Sequence, residues 1–197
     1  MTDSDINTNT SPPIPSSTTT TTTNTTPTSL NVTTTQSIGL DLGALATTMS
    51  LATSEQPQSL MMRNNEMNVS TPSIVSFTPD GRMFGQAASN TMSSSIVSFS
   101  NMVDLLSSDD VLELKHLQEK LPSIQIVAMF LEHLLGGEQK NEEGKKSDLI
   151  FALPRCVTNM SSIRDALKIA KLDQKFSPKC CTIGVALAGA HFLKHGK

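Results

Sequence analysis

The chain has 197 residues, with 15 Lys and Arg against 18 Asp and Glu, a formal net charge of −3, and neither Trp nor Tyr. This balance lacks the basic footprint of a nucleic-acid-binding protein, and the scarce aromatic residues offer no platform for stacking bases. No apolar stretch approaches the roughly 20 residues that a membrane span needs. We therefore expect no direct contact with nucleic acid and no membrane anchor.

The first 36 residues are dominated by Thr, Ser, Asn and Pro, and Thr18 to Thr23 is an unbroken Thr run. Such a segment buries too little apolar surface to offset its chain entropy. We predict a disordered tail over residues 1–36 and a domain over residues 37–197.

The three cysteines are Cys156, Cys180 and Cys181, without Cys-x-x-Cys spacing. This pattern argues against zinc, and the odd number is typical of a reducing compartment, so we expect a cytoplasmic protein. A packing role is the expectation for Cys180 and Cys181.

Short strands are predicted first along the domain, followed by a turn and a small helix. The strand segments are 37–42, 48–52, 59–62 and 74–77, the turn is 79–82, and the helix starts at Gln86.

The second half of the domain alternates helices with a strand. Apolar residues at three-to-four spacing predict a helix over 122–135 that Gly136 ends. Further predictions are a helix over 111–117, a buried strand over 148–153, a helix that Ser161 or Ser162 caps, and a small-residue helix over 184–193. The order predicts an α/β fold with a mixed sheet.

The segment Ile38-Gly39-Leu40-Asp41-Leu42-Gly43 combines a buried-strand pattern with Asp-x-Gly. A carboxylate at the end of a strand, followed by a glycine turn, points backbone N–H groups at an anion, and glycine permits a close approach. The pattern indicates either a phosphate and metal site or an ordinary Asp-Gly turn.

Six segments, in order, resemble the start of the nucleotide-binding domain of the heat shock protein 70 (DnaK-type) family. They are residues 38–43, 70–77, 85–88, 122–135 with the strand 149–154, 163–172 and 182–189. The resemblance implies an actin-like ATPase (ribonuclease H-like) fold, here an incomplete first lobe with a mixed sheet over residues 37–197.

The same resemblance implies a nucleotide-binding loop and a chaperone role in protein folding and the stress response. The loop would be Asp41, Leu42, Gly43, Ala44 and Leu45, with Asp41 holding magnesium through water. ATP with Mg²⁺ would be the cofactor. The family also implies J-domain proteins and exchange factors as partners.

Several departures from the family pattern bear on catalysis. Ala44 and Leu45 occupy the positions of two phosphate-contacting hydroxyl residues, and Thr47 and Thr48 could replace those hydroxyls only with a shifted turn. The catalytic Lys aligns with Ser100, and the Arg after it aligns with Asn101. A serine cannot supply the charge that neutralises a transferring phosphoryl group.

The acid that supports the magnesium water shell aligns with Cys180 or Cys181, and a thiol does not replace a carboxylate there. We therefore assign no catalytic residue and expect no ATP hydrolysis by this chain alone. We also expect His133 to be an exposed helix residue and not a ligand.

Three further interpretations stay open alongside a degenerate ATP-binding lobe. The second phosphate loop, the adenosine pocket and the second lobe would lie beyond Lys197, so the chain could be part of a longer ATP-dependent chaperone or a non-functional remnant. It could also be a non-catalytic partner of another chaperone, similar to ribosome-associated atypical family members.

Overall fold

The structure, a computed structural model, describes residues 36–55, 58–114, 119–136, 146–153 and 160–182. The predicted tail up to residue 35, the predicted helix over 184–193, and Cys156 lie outside these residues. The strands are β1 Gln36–Leu42, β2 Ala46–Thr53, β3 Leu60–Met61, β4 Ser70–Pro72, β5 Ile74–Thr78, β6 Gly81–Phe84, β7 Val97–Ser100, β8 Val111–Leu114, β9 Glu119–Pro122, β10 Ser147–Leu153 and β11 Phe176–Thr182. The helices are α1 Gly85–Asn90, α2 Met102–Ser107, α3 Ser123–Leu135 and α4 Met160–Ile169, with a 3-10 helix at Met92–Ser94.

A mixed sheet with the order β11-β10-β1-β2-β3 forms the centre of the domain, and β4 also pairs with β2. The strands β1, β10 and β11 run parallel, whereas β2 is antiparallel to β1, β3 and β4. Parallel neighbours need crossover connections, and α4 lies in the connection from β10 to β11. The predicted mixed α/β fold is confirmed, and it is compatible with the lobe that the family resemblance implies.

Side chains of β1 alternate between the two faces of this sheet. Ile38, Leu40 and Leu42 are fully buried, while Asp41 is exposed on the opposite face. The buried face shares one hydrophobic core with the apolar side of α3 and α4, including Phe130. Because the strand period is two, the burial of Leu40 and Leu42 directs Asp41 away from the core.

A second sheet has the order β6-β5-β7, and all of β5 is buried. The chain leaves β6 for α1 at Gly85, which has φ +57°. A Cβ there would lie 2.6 Å from Cγ2 of Thr71, so both the backbone angle and the space at this corner favour glycine.

The predicted helix over residues 111–117 is wrong for its described part. Residues Val111–Leu114 form β8, which pairs with β9 in an antiparallel hairpin. Leu112 and Leu114 face inward while Val111 and Glu113 are exposed, which is the period of a strand. By contrast, the predicted helix over 122–135 and the predicted strand over 148–153 are confirmed by α3 and β10.

None of the helices in the described part of the chain is long and apolar enough to cross a membrane.

The two faces of β10 supply a matched test of this packing. Leu149 is fully buried on the core face, and Ile150 is half-buried on the opposite face. We expect Leu149→Ala to lower the free energy of unfolding by about 2–5 kcal/mol, because the cavity adds to the lost transfer energy. Ile150→Ala should cost less than about 2 kcal/mol. Denaturant unfolding of both variants measures the difference, and equal losses would contradict the assigned faces.

Candidate functional site

The candidate site lies at the end of β1, where Asp41 precedes a short turn into β2. Asp41 pairs with Thr48 of β2 on one side and with Ala152 of β10 on the other. Since β1 and β10 are parallel, their carboxyl ends meet at one edge, where α/β sheets commonly bind ligands. No described residue donates a hydrogen bond to the exposed Asp41 carboxylate, which leaves it free to contact water or a hydrated cation.

The turn itself is shaped by Gly43 and held by Ser73, the residue between β4 and β5. A Cβ on Gly43 would lie 2.4 Å from the carbonyl oxygen of Ala46, so the turn closes only around glycine. The N–H of Ser73 donates to the carbonyl oxygen of Leu45 at 2.9 Å. The N–H groups of Ala44 and Leu45 donate to no described residue, and such free donors can meet an anion.

Thr47 does not supply the hydroxyl group that the turn lacks. Its side chain is buried, and its Oγ1 lies 2.9 Å from Oγ of Ser73. Thr47 therefore connects β2 to Ser73, the residue between β4 and β5. Thr48 shares the face of Asp41, since the two residues are paired across the ladder.

Ser100 stands at the end of β7, where the resemblance aligned a catalytic Lys. Its side chain is exposed, and the residue pairs with Ile74 of β5. The next residue, Asn101, has φ +57° and caps α2, and its side chain accepts a hydrogen bond from the N–H of Asp104. This corner therefore serves local structure and carries no positive charge.

Cys180 and Cys181 lie side by side on β11. Cys181 pairs with Ala152, which in turn pairs with Asp41, so Cys181 lies in the same row two strands away. Two strand spacings are about 10 Å, so this thiol and the Asp41 carboxylate do not act on one atom.

Cys180 is exposed, so the prediction of a packing role is wrong for this residue. Partial burial raises the pKa of the Cys180 thiol, and the neighbouring Cys181 raises it further. The thiol is therefore neutral near pH 7 and does not stand in for a carboxylate. In the described part of the chain, no three His, Cys, Asp or Glu side chains gather to hold a metal ion.

A separate cleft contains His133, at the end of α3. As predicted, the residue is exposed, but its ring also stacks on Phe84 of β6, with 4.8 Å between ring centroids and 12° between planes. Partial burial lowers the pKa of His133, and the Glu66 carboxylate opposes that shift. Sequence reasoning missed this cleft because its residues come from three distant segments without a shared motif.

Comparison with known proteins finds a similarity for the segment that contains the candidate loop. Residues 37–99 match the family model described as Hsp70 protein. The match confirms the predicted resemblance over these residues, which include Asp41 and the turn, and it indicates a chaperone-related protein. The matched segment ends at residue 99, one residue before Ser100. No curated protein matches the chain.

The Thr47–Ser73 contact predicts a coupled loss of stability. We expect Thr47→Val to lower the free energy of unfolding by about 1–3 kcal/mol, because the buried Ser73 hydroxyl loses its partner. Ser73→Ala should behave similarly. The double variant should cost less than the sum of the single variants when denaturant unfolding is measured. Strict additivity would show that the two hydroxyl groups do not interact.

The lowered pKa of His133 predicts a pH dependence of stability. The unfolded chain binds this proton more readily than the folded chain, so the free energy of unfolding falls as pH decreases below about 6.5. We expect His133→Gln to lose less stability than the parent between about pH 7.5 and 5. Glu66→Gln should lose more, since Glu66 favours protonated His133. Equal profiles for the parent and His133→Gln would contradict the pKa shift.

Proposed function

We propose that this chain is a chaperone-related protein with a degenerate Hsp70-like ATP-binding lobe that does not hydrolyse ATP alone. The observation that carries the proposal is the turn after β1. It retains the Asp41 carboxylate and the tight backbone of Gly43, yet Ala44 and Leu45 have no hydroxyl groups. The buried hydroxyl of Thr47, at the start of β2, already contacts Ser73.

ATP with Mg²⁺, the cofactor that the family implies in general, fits this loop only in part. Asp41 is suited to contact a hydrated magnesium ion, and the free N–H groups of Ala44 and Leu45 are suited to contact one phosphate oxygen. A charge-assisted hydrogen bond contributes roughly 1.5–3 kcal/mol, whereas micromolar affinity needs about 8 kcal/mol. One carboxylate and a bare turn do not reach that total.

The residues present are even less suited to ATP hydrolysis than to ATP binding. Phosphoryl transfer depends on positive charge beside the developing negative charge, and a catalytic Lys normally supplies part of it. Ser100 is neutral and exposed. Cys181 has a thiol where a carboxylate would organise the magnesium water shell, and it lies two strands from Asp41. We therefore propose no catalytic residue.

A non-catalytic partner of another chaperone is the second candidate function. The observation that favours it is Leu45, which is 88% exposed at the tip of the turn. The leucine side chain offers no hydrogen bond to a phosphate group but can contact an apolar protein surface. A J-domain protein, another chaperone or a ribosome-associated partner would supply such a surface. A cytoplasmic location belongs to this proposal.

An ATP-dependent activity as part of a longer protein is the third candidate. A second lobe would add phosphate contacts and an adenosine pocket to the Asp41 turn. This candidate is distinguished from the first two by nucleotide binding in the presence of that lobe.

A thermal melt of the full chain, with and without about 5 mM Mg-ATP, tests the degenerate site. A site with a Kd of about 10 μM would stabilise the fold by about 3.7 kcal/mol under these conditions. We expect less than about 1 kcal/mol, which corresponds to a Kd no tighter than about 1 mM. We also expect no phosphate release above that of buffer.

Asp41→Asn is the matched variant, because it keeps the size of the side chain and removes its charge. The parent and Asp41→Asn should melt alike in Mg-ATP. A large stabilisation of the parent that disappears in Asp41→Asn would overturn the proposal of a degenerate site. Capture of a chaperone by the parent, weakened by Leu45→Ser, would support the partner function.

A further inference from the structure

A cleft of 230 Å³ lies between the turn after β3, the corner from β6 to α1, and the end of α3. Its lining combines two opposite charges with an apolar wall and an imidazole. The residues that matter here are Glu66, Arg82, Met83, Phe84, Ala87 and His133. None of them belongs to the turn at Asp41.

The wall that carries Glu66 is held in place by Asn64. The Oδ1 atom of Asn64 accepts hydrogen bonds from the N–H groups of Glu66 at 3.0 Å and Asn68 at 2.9 Å. Its Nδ2 donates to Oγ1 of Thr71 at 3.1 Å, which attaches the turn to β4. The turn therefore presents Glu66 from a fixed backbone and does not need to order itself around a ligand.

Another part of the lining is flat and apolar. Phe84 and His133 stack nearly parallel, and Met83 and Ala87 line the same cleft. Burial lowers the pKa of His133, so this imidazole is mostly neutral near pH 7 and adds no second cation. The cleft thus contains one cation, one anion and an apolar surface.

The two charges do not neutralise each other. Glu66 and Arg82 both line the cleft, but no ion pair joins them, and within the described residues neither side chain has a hydrogen-bond partner. A ligand with a single charge would satisfy one group and be repelled by the other. A phosphate dianion is unfavourable for this reason, because Glu66 faces the same space.

We propose that this cleft binds a free α-amino acid with an apolar side chain. Its carboxylate would contact the Arg82 guanidinium, whose planar fork matches a carboxylate. Its ammonium group would contact Glu66, and its side chain would lie against Met83, Phe84 and Ala87. The volume accommodates one such ligand. This site is independent of the proposed function, since it shares no residue with the Asp41 turn.

Calorimetric titration of the full chain with L-leucine tests the proposal. We expect a Kd of about 1 mM, since Glu66 and Arg82 are both exposed and water weakens their charged contacts. N-acetyl-leucine keeps the carboxylate and resembles a peptide C-terminus, whereas leucinamide keeps the ammonium group and resembles an N-terminus. Each should bind at least about tenfold more weakly than leucine, because each loses one charge-assisted contact.

Three variants change residues that line the cleft, and one variant elsewhere serves as a control. Arg82→Gln and Glu66→Gln should each weaken leucine binding about tenfold or more. Ala87→Leu should abolish it by filling the cleft while both charges stay. Arg164→Gln changes an exposed cation on α4 and should bind leucine like the parent. Each variant is first shown to melt cooperatively.

Absence of leucine binding by a cooperatively folded parent chain would overturn the proposal. So would equal binding of leucine and either analogue, because a peptide terminus would then be the ligand. Unchanged binding in Arg82→Gln and Glu66→Gln would show that leucine binds elsewhere. Selective loss in the three cleft variants, with Arg164→Gln unchanged, supports the site.

Discussion

The pairing of β1 on both of its edges is the constraint on which the domain depends. β1 pairs in parallel with β10 and in antiparallel with β2, so its backbone cannot shift without breaking two ladders. A shift by one residue would expose Leu40 and Leu42 and bury Asp41. The hydrophobic core therefore sets the direction of the one carboxylate in the candidate site.

The contacts of Gly43 and Ser73 explain how the turn after β1 keeps its shape. Gly43 closes the turn, and Ser73 holds both the carbonyl group of Leu45 and the hydroxyl group of Thr47. These contacts join the two sheets and need no ligand. Stability therefore accounts for the conformation of the turn, and only the backbone N–H groups of Ala44 and Leu45 are left there for an anion.

Sequence patterns predicted the elements in which local signals agree with the tertiary packing. The continuous apolar run of β10 and the three-to-four spacing of α3 are such cases, and both are confirmed. The residues of β8 form a strand because Leu112 and Leu114 pack inward opposite β9, which the local sequence does not show. Pro178 and Lys179 in β11 weaken its strand signal, and both are tolerated because β11 is the edge of the central sheet within the described residues.

Some features of the candidate site follow from neighbouring residues, and others depend on residues that are distant in sequence. Asp41 and Gly43 were predicted because a strand end and its turn are adjacent in sequence. The hydrogen bond between Thr47 and Ser73 joins residues 26 positions apart. Only the fold shows that the Thr47 hydroxyl group is already bonded to Ser73. Catalytic groups that act as a unit lose most of their effect when one member is absent. Without a positive charge at Ser100, Asp41 is therefore expected to give a weak contact with hydrated magnesium and no measurable hydrolysis.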